Sequence, residues 1–194
     1  MWTGWADTIA MSDRPEDQTS TRASLLAIPL LIGAVVAVGL GVFARIHPAQ
    51  RVSWHGPFPS MVSMKVWLTV AVLVFAAIQI VTALWMYGKL GIASPPWLGK
   101  AHKASGGLAF LTSLPVAAAC LWVLGLHSTE PRVVLHGLLG CLFYGAFVAK
   151  VLVLHGKRLP GWALPVVAGV LFTAVVGAAL TSAVWWLTTH GIPR

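Results

Sequence analysis

Residues 62–87, VSMKVWLTVAVLVFAAIQIVTALWMY, contain one charged side chain, Lys65, and no acid. At ~1.5 Å per residue the run is longer than the ~30 Å hydrocarbon core of a bilayer. It lacks the alternation of a barrel strand, and in lipid a segment has to satisfy its own backbone, so a transmembrane helix is the expected structure. Four further runs have the same character: Leu25 to Ala44, Ala104 to Leu126, Val133 to Leu154 and Trp162 to Leu187. The expected fold class is all-α, a polytopic membrane bundle of five transmembrane helices over residues 25–190. Residues 1–24, with six charged side chains, read as a disordered cytoplasmic tail. Met1 and Met11 are both candidate starts.

Composition excludes the main alternatives. Of 194 residues, 58% are hydrophobic and 9% charged, where a soluble domain carries about 25% charged residues. The 13 Lys and Arg outnumber 5 acids, but they are scattered through the short connections, which suits lipid headgroups and not nucleic acid. Eight of them (Arg14, Arg22, Lys89, Lys100, Lys103, Lys150, Lys157, Arg158) fall on the side of the tail and five (Arg45, Arg51, Lys65, Arg132, Arg194) on the other. That bias predicts a multi-pass membrane protein with its N-terminus in the cytoplasm. Cys120 and Cys141 lie in mid-span and read as small buried hydrophobes. Beyond residue 17 the sole acid is Glu130, so hydrolysis and carboxylate-based proton relays are not expected.

The histidines sit at the span edges. His102 and His155 fall near the cytoplasmic face, and His47, His55, His127, His136 and His190 near the outer one. A neutral imidazole is a good ligand for iron, copper or zinc. The third and fourth spans are antiparallel neighbours, which puts His102 within ~7 Å of the depth of His155 and leaves His127 almost level with His136. On the third span His102, Gly106, Ala109, Ser113, Val116, Cys120, Leu124 and His127 fall on one stripe of mostly small side chains, suited to close helix contact or to a flat cofactor.

Ala101-His102-Lys103-Ala104-Ser105-Gly106-Gly107-Leu108 resembles the opening of a haem-bearing helix in bacterial membrane-bound b-type cytochromes. His136-Gly137-x-x-Gly140 with Tyr144 and then His155 resembles the helix pair that brackets haem in ferric-reductase-like and quinol-oxidising cytochromes b. Together these motifs cover about 55 of the 194 residues. The resemblance implies membrane electron transfer through haem b held by two histidines, with a quinone or a redox partner protein exchanging the electrons. It places His102 and His155 as axial ligands to the haem iron, with His127 and His136 as further candidates and Lys150 and Tyr144 near the cofactor. The 25-residue interval from His102 to His127 is ~37 Å of helix, too long for two closely coupled haems. Two other readings stand beside it: an outer-face copper- or zinc-binding protein using His47, His55, His127, His136 and His190, and a cofactor-free accessory subunit of a homo- or hetero-oligomeric complex.

Overall fold

The computed structural model describes residues 24–47, 50, 52, 54–125, 130–156 and 159–193. The tail reading for residues 1–24 falls almost wholly outside them, and so does His127. Among the described residues the fold is entirely helical: α1 (Ala27–Ile46), α2 (Met61–Met86), α3 (Leu98–Ala118), α4 (Pro131–His155), α5 (Ala163–Ala179) and a short α6 (Trp185–His190). A π-helical turn, Ala119–Leu124, continues α3, and a second, Leu180–Val184, joins α5 to α6. Five continuous helical segments result, of 20 to 28 residues, long and apolar enough to cross a bilayer.

Their ends follow from local chemistry. Ser60 is extended and its Oγ accepts the Ser63 N–H at 3.1 Å, which caps α2. A Ser60→Ala protein should lose about 1 kcal/mol, read as a melting-temperature drop of roughly 2–4 °C in detergent. Gly88 closes α2 with φ 69°, a left-handed conformation that side chains resist. α4 begins on Pro131, where the missing N–H costs nothing.

The helices do not pack evenly. α2 lies closely against α3, and α4 lies closely against both α1 and α5. At the α1–α4 crossing Gly33 faces Gly145, and a Cβ built on Gly33 would stand 2.6 Å from the Gly145 carbonyl oxygen. Small residues allow this approach where lipid supplies no hydrophobic drive between helices. By contrast Gly39 and Gly169 face open space. The opposite side of α1 presents Ile28, Leu31, Val35, Val38 and Ile46 to the surroundings, as a lipid-facing helix does.

α3 and α4, consecutive in sequence, keep their backbones apart. Side chains bridge the gap. Phe110 stacks on Phe147 with centroids 4.2 Å apart, and Ser113 Oγ lies 2.9 Å from Tyr144 OH. The stripe of small residues on α3 therefore has two fates. Near its start Gln79 of α2 fills it, with Oε1 3.0 Å from where a Gly106 Cβ would stand. Farther along, Ser113, Val116, Cys120 and Leu124 open onto a cavity.

Candidate functional site

The cavity holds about 380 Å³, is partly open, and is walled mainly by α2, α3, α4 and α5, with Ala44 of α1 and Trp185 and Trp186 of α6, at the level of both π-helical turns. π turns often mark functional positions, because the extra residue per turn displaces side chains and loosens local packing. Pro115 offers a local reason for the first: it has no N–H to donate, and four residues later the Ala119 N–H is shared between the carbonyls of Pro115 and Val116. The second has no proline, and the Leu180 N–H is likewise shared, between Val176 and Gly177.

The cavity wall is largely apolar, with a few polar groups converging from separate helices. His136 Nδ1 lies 3.0 Å from the Ala178 carbonyl of α5, so Nδ1–H donates there and Nε2 carries the lone pair. Nε2 in turn lies 3.8 Å from Cys120 Sγ, whose S–H can donate to it. Lys65, one turn into α2, brings its ammonium within reach of the same sulfur. Arg132 is committed to structure. Its Nη1 donates to the Thr181 carbonyl at 2.9 Å, Nη2 pairs with Glu130 at 3.2 Å, and the guanidinium lies 3.6 Å over the Trp185 ring. It thereby ties the start of α4 to the second π turn. Thr69, Ser113 and Tyr144 add hydroxyls to the lining.

Of the residues singled out in the sequence, His136 and Tyr144 line this cavity. His102 lies elsewhere, half-buried between α2 and α3. Its Nδ1 is 2.7 Å from Thr82 Oγ1, and its carbonyl accepts from Gln79 Nε2, which also donates to Ser105 Oγ at 2.7 Å. His155 is exposed at the end of α4, with Nδ1 2.8 Å from the Val151 carbonyl of its own helix. The two rings thus have separate partners. Lys150 is close enough to His102 to act on it through charge. His47 stacks on Phe43 at 3.9 Å and His190 on Trp186 at 4.3 Å, while the Nδ1 atoms of His47 and His55 are buried and have no partner among the described residues. Among the described residues no three His, Cys, Asp or Glu side chains gather into one cluster.

The Gln79 bridge makes a prediction. A Gln79→Leu protein removes both donors from the α2–α3 interface and should lose about 1–3 kcal/mol, read by thermal unfolding. The same change leaves the cavity lining untouched, since Gln79 takes no part in it.

Sequence reading missed Lys65 and Cys120. A cation one turn inside a span was itself a signal, and Cys120 shared the α3 stripe. What no pattern gave was their meeting with His136 of a third helix.

No curated protein and no solved structure matches the chain. A family profile does, over residues 26–194, which takes in all five spans and the cavity. The chain belongs to the family described as Family of unknown function (DUF6529).

Proposed function

We propose that the protein is an electron-transfer protein of a bacterial plasma membrane, with its N-terminus in the cytoplasm, and that the cavity takes a quinone-type headgroup. One observation carries this reading: an apolar intramembrane cavity into which Lys65, Tyr144, Ser113 and His136 converge from three helices. A quinone ring needs flat apolar walls and hydrogen-bond donors for its carbonyl oxygens. Lys65 supplies one donor, and Tyr144 OH, which rests on Ser113 Oγ while Ser113 itself donates to the Phe110 carbonyl at 2.7 Å, turns to supply the other. His136, with Nδ1–H anchored on Ala178, presents a nitrogen that accepts a proton from a bound quinol and returns it. On the proposed orientation the cavity lies in the outer half of the membrane.

Haem b is the second component of the proposal. Both His102 and His155 hold Nδ1 against an oxygen and leave Nε2 to ligate, as haem-binding imidazoles do. Their donor chemistry fits, and Lys103 and Lys150 suit propionates at that end. Bound there, haem would supply one-electron chemistry. Protein from haem-replete cells should show a Soret band that shifts on reduction and disappears in His102→Ala and His155→Ala. A colourless protein whose solvent extract carries quinone would remove haem from the reading and leave the cavity its ligand.

Copper or zinc is a second reading, favoured by the 3.8 Å between Cys120 Sγ and His136 Nε2, roughly the span across one bound ion with bonds of ~2.3 and ~2.0 Å. The Lys65 ammonium beside the sulfur opposes a metal cation. Metal content that falls in His136→Ala would establish the site.

A further inference from the structure

Cys120 and Cys141 both line the cavity, and their settings differ. Cys141 is buried on α4, and no hydrogen bond reaches its sulfur among the described residues. Cys120 is half-buried, near the start of the first π turn, and basic groups from two other helices converge on its sulfur: His136 Nε2 at 3.8 Å and the Lys65 ammonium. A structural cysteine sits among apolar neighbours and is inert; a reactive one sits partly exposed beside a base and positive charge.

We propose that Cys120 is a nucleophilic site for conjugate addition to a small unsaturated carbonyl ring held in the cavity, with His136 as the base and Lys65 as the charge facing the sulfur. The ligand class rests on the reading of the cavity as a site for a quinone-type ring; the nucleophile rests on the approach of His136 Nε2 to Cys120 Sγ and on Lys65 lining the same cavity. His136 Nε2 takes the thiol proton, while the Nδ1–H bond to Ala178 holds the ring in place and stabilises the imidazolium. The sulfur lone pair forms the S–C bond at the β carbon. The C=C electron pair moves onto the carbonyl oxygen, where Lys65 and Tyr144 stabilise the negative charge, and the imidazolium returns the proton. The reaction is a net addition: nothing leaves, and no outside oxidant or reductant is consumed. With a quinone ring the hydrogen on the attacked carbon, which must be unsubstituted, then moves to the second carbonyl oxygen, and the product is a hydroquinone thioether, which occupies the cavity covalently and closes it to further ligand.

The test is alkylation of the full chain in mild detergent by N-ethylmaleimide, an unsaturated cyclic dicarbonyl close to a quinone ring in size, with peptide mass spectrometry separating Cys120 from Cys141. Cys120 should label at least about tenfold faster than Cys141, and Lys65→Met and His136→Gln should each slow it about tenfold without changing Cys141. Circular dichroism checks that each variant is folded, and Lys65→Met carries the test should His136→Gln not fold. In folded protein, a Cys120 that labels no faster than Cys141, or at a rate indifferent to Lys65→Met, overturns the proposal. Fast, Lys65-dependent labelling supports the nucleophile even where a short-chain quinone fails to bind, and then only the assignment of the cavity's ligand is wrong. Quinone binding without accelerated labelling overturns the nucleophile and spares that assignment.

Discussion

Gly145→Val should be the most damaging single substitution at a helix contact, costing on the order of 3 kcal/mol or more. The added Cβ would run into the Gly33 carbonyl oxygen and stand 2.8 Å from the Ala37 Cβ and 3.3 Å from the Ala37 nitrogen. Two of those three atoms belong to backbone, which no rotamer change can move aside. α1 would have to retreat from α4, and with it goes the glycine-to-glycine crossing. The check is thermal unfolding in detergent followed by size-exclusion chromatography. Gly145→Val should melt well below the parent or elute as aggregate, while Gly39→Ala, on the same α1 helix with nothing within 4 Å of its Cβ position, should stay within about 0.5 kcal/mol. Equal stability of the two variants would mean that α1 and α4 do not cross at these glycines.

The second large effect is expected on ligand binding. His136→Ala removes the imidazole from the described cavity lining, and it leaves the Ala178 carbonyl without this donor. Affinity for a short-chain quinone should fall about 10- to 100-fold, equivalent to roughly 1.4–2.8 kcal/mol. Tyr144→Phe should lose less, about three- to tenfold, since Lys65 still lines the cavity as a donor. An unchanged affinity in His136→Ala would place the quinone somewhere other than this cavity.

The bilayer itself explains what was readable in the sequence. Hydropathy over some 20 residues marks a span because lipid tolerates nothing else, and five such runs became five membrane-length helical segments. Their ends were less legible. α3 starts at Leu98, six residues before Ala104, because Lys100 and Lys103 are compatible with helix at an interface where their charged heads reach water, while His102 turns inward against Thr82 of α2. The last segment runs on to His190 through a π turn. That turn has no signature: Pro115 precedes the first π turn by four residues, whereas nothing in Leu180–Val184 distinguishes it from ordinary helix. Periodicity found the small-residue stripe on α3, yet one half is filled by Gln79 and the other opens onto the cavity. A helical wheel shows which residues share a face, and the neighbour decides what covers it. For the same reason Cys120 and Lys65, read singly as a hydrophobe and as one of the five outer-side cations, acquired chemical meaning only when three helices brought them to one cavity with His136.

Trp185 and Trp186 line the cavity, so a quinone bound there should quench their fluorescence. The direct measurement is a titration of the purified protein with a short-chain quinone, repeated in a Trp185→Phe, Trp186→Phe variant. Saturable quenching that the double variant loses, and that His136→Ala shifts to higher quinone concentration, is the predicted result. Quenching that grows linearly without saturating, or that survives unchanged in the double variant, would contradict a quinone site in this cavity.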